Sequence, residues 1–272
     1  MIFIGESINT SIKPVKEAVL QKDAAYIRRL AKAQADAGAA YLDVNCGNMV
    51  DNEPELMEWL VRQVREEVAL PLSIDSPRPE AMDIGLSLAG DKPIMNSITA
   101  ERERFQILSP MIGRYGARVI ALLMDDTGMP ASAEDRIRIA RELIPRLLET
   151  GMNPDDIIVD PIVKPIGTGD SAGQEVFGAI RTIASEFPDV HFSVGLSNIS
   201  HGLPMDAQIN HAFLLLCMAS GLDVCIANVL DPLIPGYAAC AEALLGRDPY
   251  CGRLLKLYRK GQFPEKMDTL DL

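Results

Sequence analysis

Eight short apolar runs along this chain each stop at small polar residues. They read IFIGE ending at Glu6, AYLDVN with Asp43 and Asn45, PLSID with Asp75, and PIMNS with Asn96 and Ser97. VIALLMDD carries Asp125 and Asp126, DIIVD ends at Asp160, FSVGLSN carries Ser197 and Asn198, and VCIAN ends at Asn228. If the runs are parallel strands, their last residues meet at one end of a sheet. That meeting point is rich in carboxylates and amides, and almost empty of the Lys, His and Cys used as nucleophiles or metal ligands. Carboxylates accept hydrogen bonds, whereas amides both donate and accept. Such a ring suits a flat, nitrogen-rich ligand gripped by its edges.

Asp75 and Asp160 are the strongest single positions. Each ends a run and is followed within two residues by proline, Pro77 or Pro161, which stops a strand and starts a loop. A lone strand-end aspartate can simply cap the next helix. Capping is a strained account of Asp75, Asn96, Asp160 and Asn198 together. A pterin ring offers an amino group, ring N–H groups, a carbonyl and acceptor nitrogens, which these side chains complement. Lys164, beyond the sixth run, could meet an anionic ligand tail or remain solvated.

Other chemistries find less support. His191, His201 and His211 show no HxH or HxxxH spacing, and the five cysteines show no CxxC, so no metal site is expected. Gly167-Thr168-Gly169 reads as a flexible loop rather than a phosphate cradle. Asp125 and Asp126 are adjacent on a strand end and point opposite ways, which argues against a shared Mg²⁺. Asp189-Val190-His191 begins like DxHxxG, a cobalt-ligating signature. Its glycine falls one residue late, at Gly195, and its histidine starts a core strand, so it reads as coincidence.

The elements that must position the polar ring announce themselves. The strand runs are continuously apolar, as parallel strands buried on both faces are. Asp23 caps a helix with Ile27, Leu30, Ala31 and Gln34 on one face, closed by Gly38. Ser132, with Asp135 three residues on, opens another, in which Ala140, Leu143, Ile144, Leu147 and Leu148 recur at helical spacing. Pro145 is expected to kink it. Gly116, Gly151 and Gly221 each follow a helical segment and precede a strand. Eight such units in 272 residues predict a single-domain (β/α)8 TIM barrel spanning 1–272, close to the ~250 residues usual for that architecture. An open doubly wound sheet is disfavoured, since no GxGxxG follows the first strand.

Composition agrees. The 48% hydrophobic fraction supplies one substantial core, and no linker breaks the chain. There is no signal-peptide pattern, and no apolar stretch approaches the ~20 residues of a membrane span. With an odd number of cysteines mostly in apolar surroundings, a cytoplasmic protein with reduced thiols is expected. A net charge of −12 argues against nucleic-acid or anionic-membrane partners. It would suit a partner protein with a basic docking face.

These motifs, in order, resemble the pterin-binding methyltetrahydrofolate:corrinoid methyltransferases. GESINTS is similar to their GERxN opening, YLDVNCG to LDxNxG, and LSIDS to the third-strand Asp-Ser. IMNSITAERER resembles INSxxAERE, IVDPIV the sixth-strand DP step, VGLSNIS their GLSNxS, and GLDVCIAN their last strand. The likeness covers nearly the whole chain. It implies a barrel that binds tetrahydrofolate or 5-methyltetrahydrofolate in its mouth, usually as a homodimer, with a corrinoid (cobalamin) carried on a partner protein. By motif, Asp75, Asn96 and Asp160 would hold the pterin, Gly195 and Ser197 would line it, and Asn198 would reach the methyl-bearing nitrogen-5 as the catalytic group. Glu6, Asn9, Asp43, Asn45, Met124 and Lys164 are expected at the rim. Ser7 replaces the arginine of GERxN, Cys46 replaces an aliphatic residue, and Asp125 stands where a close relative has Asn.

The resemblance implies methyl transfer between tetrahydrofolate nitrogen-5 and the cobalt of a separate corrinoid protein, as the folate-methylating component of an O-demethylase. The alternatives are an acetogenic methyl-tetrahydrofolate to corrinoid/iron-sulfur protein methyltransferase, a dihydropteroate-synthase-like enzyme, and a non-catalytic folate-binding protein. Dihydropteroate synthases need a basic Ser-x-Arg/His step after the last strand. IANVLDP has none here.

Overall fold

The eight apolar runs form one parallel sheet. A computed structural model describes residues 1–259 and 261; of the expected domain 1–272, residues 260 and 262–272 lie outside the described residues. The strands are β1 (Ile2–Asn9), β2 (Tyr41–Asn45), β3 (Leu72–Asp75), β4 (Ile94–Ile98), β5 (Arg118–Leu122), β6 (Ile157–Asp160), β7 (His191–Phe192) and β8 (Val224–Ala227). Sequence neighbours pair throughout, and β8 returns to β1, in the order β7-β6-β5-β4-β3-β2-β1-β8. The ring closes between β7 and β8 through the Ile226 N–H to Val194 carbonyl hydrogen bond (3.0 Å) and a Gly195–Ile226 bridge. This is a (β/α)8 barrel.

Helices α1 (Lys13–Leu20), α2 (Ala24–Asp36), α3 (Glu53–Glu67), α4 (Pro79–Leu88) and α5 (Arg102–Tyr115) wrap its first half. The second half carries α6 (Ala133–Glu149), α7 (Ala172–Glu186), α8 (Asp206–Ser220), α9 (Leu233–Leu244) and α10 (Gly252–Arg259). Asp23 and Ser132 cap α2 and α6, accepting from the N–H groups of Tyr26 (3.0 Å) and Asp135 (3.2 Å). On α3, Leu56, Met57, Leu60, Val61 and Val64 recur every three or four residues and are buried. A fully buried aliphatic side chain contributes about 1.5–3 kcal/mol, so such faces anchor the helices to the strands. No described helix is long and apolar enough to cross a membrane.

α6 runs from Ala133 to Glu149 with Pro145 inside it. One expectation is corrected. The seventh run is a strand for only two residues, because Leu196–Ser200 coil into a 3₁₀ turn immediately after it. That turn carries Ser197 and Asn198.

Side chains alternate along a strand, and the alternation divides the interior into a floor and a mouth. Ile4, Ile94, Ile120, Ile158 and Val224 pack together inside the barrel. Two residues further along their strands lie Glu6, Asn96 and Asp160. On β2 and β3 the polar character begins lower, with buried Asp43 and Ser73.

Gly85, inside α4, shows how closely a helix must approach the strand behind the site. A Cβ at this position would lie 2.5 Å from Ile74 Cγ2 and 3.2 Å from Met57 Cγ, and Ile74 immediately precedes Asp75. Helix propensity alone favours alanine over glycine by about 1 kcal/mol, but overpacking a core typically costs about 1–3 kcal/mol. Gly85→Ala is expected to lower the melting temperature despite its better propensity. A variant that melts at or above the parent would show that this approach does not limit packing.

Candidate active site

Each strand delivers its last inward side chain to the mouth, and the β2–β4 side is the most tightly built. Asp43 is buried and accepts from Ser73 Oγ at 2.7 Å and Asn96 Nδ2 at 3.1 Å. Burial pushes its carboxyl up to about 6, against the pull of those two donors. With its amino group spent on Asp43, the Asn96 amide keeps its carbonyl oxygen as an acceptor. Asp75 pairs in register with Asn45 on one side and Asn96 on the other, and receives Asn45 Nδ2 at 2.6 Å. Asn45 Oδ1 in turn accepts from the Gly47 N–H at 3.0 Å. Burial, and then the neighbouring Asp43, hold the Asp75 carboxyl well above the ordinary range. Two acids this close retain a proton readily, so the cluster both donates and accepts.

Asp160 faces them from β6. It is 7% exposed, and Oδ1 accepts from the Ile162 N–H at 2.8 Å. Burial raises this carboxyl to about 6. The buried Ser193 hydroxyl beside it, with the Ile162 N–H and Arg136, pulls against that rise.

The remaining arc is looser. Glu6 ends the inward column of β1 and accepts from Ser197 Oγ at 3.3 Å. Burial raises its carboxyl to about 7; the Ser197 hydroxyl opposes this and Asp43 adds to it. Asn198 is exposed, and its backbone is fixed by the 3₁₀ turn, with its N–H on the Gly195 carbonyl at 3.3 Å. A Cβ on Gly195 would lie 2.8 Å from Asn198 Nδ2. Glycine at 195 therefore gives this amide its seat. The arc thus supplies a near-neutral carboxyl beside an unencumbered amide.

Sequence-predicted residues fall into three groups. Asp75, Asn96, Asp160, Gly195, Ser197, Asn198 and Glu6 come together at the mouth. Asp43 and Asn45, expected at the rim, act from behind, as buried support for Asn96 and as a strut to Asp75. Met124 and Lys164 lie half-buried in the β5 and β6 connections, and Asn9 Oδ1 is engaged by the Ser11 N–H at 2.8 Å. Asp125 and Asp126 do diverge, to Arg138 at 2.7 Å and Arg102 at 2.8 Å. His191 sits at the far end of the barrel between Asp223 (2.6 Å) and Asp155 (3.1 Å). Ser73 and Arg104 were not singled out. Ser73 could have been found, since it lies two residues before Asp75 and so shares its face; nothing local distinguishes Arg104.

Comparison with known proteins fits this architecture. A family model described as pterin binding enzyme matches residues 6–228. The chain is 33% identical over 264 residues to a methylcorrinoid:tetrahydrofolate methyltransferase from Eubacterium limosum, covering 96% of this chain and 97% of that protein. It is 31% identical over 242 residues to a methionine synthase from Mycobacterium tuberculosis, spanning 84% of this chain but only 20% of that protein. Among solved structures, a Yersinia pestis dihydropteroate synthase superposes with a TM-score of 0.67 at 15% identity, covering 90% of this chain and 93% of that one. A Xanthomonas albilineans dihydropteroate synthase gives 0.65 at 17% identity, covering 89% and 92%. At such identities these two speak for the fold alone. The family match across most of the barrel and the full-length relative carry more: this chain belongs to the pterin-binding enzymes and is a methyltransferase.

Proposed function

We propose that the chain moves a methyl group from a methylcorrinoid held by a separate protein to nitrogen-5 of tetrahydrofolate bound in the barrel mouth. The observation that carries this reading is the polar ring, with the Asp43, Asp75 and Asn96 cluster on one side, Asp160 facing it, and Glu6 with a free amide on the remaining arc, in a chain that matches a methylcorrinoid:tetrahydrofolate methyltransferase end to end. That match also supports the direction. The chain then serves the folate side of a demethylating system such as an O-demethylase, in which another enzyme loads the corrinoid. We assign it a cytoplasmic location and a homodimeric state.

In this reading Asp160 and Asp75 accept from the amino and N–H edge of the pterin, and Asn96 adds its carbonyl oxygen. Gly195 and Ser197 line the ring, while Glu6, Asn9, Met124 and Lys164 edge the rim. The nitrogen-5 lone pair forms the new bond to the methyl carbon as the carbon–cobalt bond breaks, its electron pair returning to cobalt. Positive charge grows on nitrogen-5. Asn198 turns its carbonyl oxygen to that N–H, stabilising charge where it develops without itself titrating. The proton then passes to the Glu6 carboxylate.

Three outcomes are expected. Asn198→Ala lowers single-turnover methyl transfer by about 10²–10³-fold, the loss found when one preorganised group is removed, with tetrahydrofolate affinity nearly unchanged. A near-parental rate would remove Asn198 from the mechanism.

Asp75→Ala and Asp160→Ala each lose a hydrogen bond to a charged group, worth about 1.5–3 kcal/mol. Calorimetry should show weaker tetrahydrofolate binding in both while the melting temperature holds. Normal affinity in both would refute the pterin orientation.

The Glu6 carboxyl, raised to about 7, is protonated below that pH and cannot take the proton there. The transfer rate should therefore fall as pH drops through about 7. Glu6→Gln should be slow and lack this inflection. An inflection that survives the substitution would assign the proton to another group.

A further inference from the structure

Arg104 lies in the first turn of α5 and faces the protein backbone. Its Nη1 donates to the Pro77 carbonyl at 2.7 Å, and its Nη2 donates to the carbonyls of Ser97 (2.8 Å) and Ser76 (3.3 Å). Ser76 and Pro77 are the first residues past Asp75, and Ser97 is the first past Asn96. The β3–β4 register ends at Asp75 opposite Asn96, with one further backbone bond from the Ser76 N–H to the Asn96 carbonyl at 3.1 Å. Beyond that point β3 and β4 no longer pair with each other, and β4 continues only against β5, at Ile98, so nothing in the β3–β4 ladder fixes the separation of the two side chains. The guanidinium spans the gap as a planar fork. A lysine ammonium, a single point of charge, cannot reach three carbonyls in that geometry.

We propose that Arg104 is a positioning residue: by tying together the connections after β3 and β4 it fixes Asp75 against Asn96 and so sets how the ligand edge is received. The proposal rests on the functional reading above for the identity of that ligand. Arg104 also acts electrostatically, since its charge favours the ionised form of Asp75. The other groups facing Asp75 are Asp43 from β2 and Glu53 from α3, which oppose ionisation, and the Asn45 amide, which favours it. Burial opposes the charge on Arg104 itself, while Glu101, at the start of the same helix, and Asp75 favour it.

The test uses Arg104→Met and Arg104→Lys in the full chain, with two readouts. The first is calorimetric binding of tetrahydrofolate. Arg104→Met should bind about 10–100-fold more weakly, by analogy with the loss of the outer partner of a metal ligand, and Arg104→Lys should fall between it and the parent. The second needs no ligand: a carbon-13 NMR titration of the Asp75 carboxyl, assigned with Asp75→Asn. Its midpoint should rise in Arg104→Met and stay near the parent in Arg104→Lys, which keeps the charge but loses the fork. A merely structural arginine would lower the melting temperature and leave the Asp75 titration unmoved. If Arg104→Met does not fold, Arg104→Lys decides, by weaker binding with the Asp75 midpoint retained. Parental affinity and a parental Asp75 titration in a folded variant would overturn the proposal. A parent chain that binds no tetrahydrofolate would instead overturn the functional reading, and the NMR titration would still decide the role of Arg104.

Discussion

Desolvation of carboxyl groups governs the upper half of this barrel. Glu6, Asp43, Asp75 and Asp160 are all raised by burial as the first cause. A buried carboxylate without full compensation is expensive, so the free protein keeps protons on this cluster that an unfolded chain would release. Where the native state holds more protons than the unfolded one, stability falls as pH rises. For these acids it is fully present below the ordinary carboxylate range, and is lost as pH rises through about 6 for Asp43 and Asp160 and about 7 for Glu6. Near neutrality the mouth therefore destabilises the fold, and the apolar floor and helix faces must offset it. A ligand bearing N–H groups supplies the missing donors, which is why such a site is costly when empty and selective when filled.

The barrel can carry this because its strands are rigid and its supports are layered. Ser73 and Asn96 satisfy Asp43, Asn45 braces Asp75, the Ile162 N–H braces Asp160, and Ser197 reaches Glu6. Each support spends a donor on an acid, so apart from the protons the acids themselves retain, the groups left free to a ligand are acceptors. The Asn198 amide is the exception. It rides on a short turn rather than a strand, held at its backbone and exposed at its side chain, as its proposed role beside developing charge would require.

The order of strands and helices was legible because burial on both strand faces leaves continuous apolar runs, and because caps such as Asp23 and Ser132 mark helix starts. Asp75, Asn96 and Asp160 were legible by their place at strand ends. The division of labour was not. Asp43 and Asn45 share a strand with the same alternation, and only the neighbouring strands decide that both support other side chains. Arg104 carries no local signal, since its partners are backbone carbonyls on two other connections. The length of β7 was not legible for a related reason: VGLSN is apolar enough for a strand, but Leu196–Ser200 coil into a 3₁₀ turn.

The replacement of arginine by Ser7 gains meaning from the same electrostatics. Ser7 is buried; its N–H donates to Gln34 Oε1 at 3.0 Å and its hydroxyl to Asn228 Oδ1 at 3.4 Å. Neither contact brings positive charge to the neighbouring Glu6, whose environment is governed by burial, the Ser197 hydroxyl and Asp43. A cation there would favour the carboxylate and draw its titration down, away from neutrality. With serine, Glu6 stays near 7, where a carboxyl is strong enough as a base to accept a proton and weak enough to release it to solvent before the next cycle. The residue that departs from the family opening thus leaves a near-neutral acid beside the turn that bears Asn198. In the proposed reaction, proton handling and charge stabilisation would fall on neighbouring groups of one arc, and holding the ring on the opposite arc.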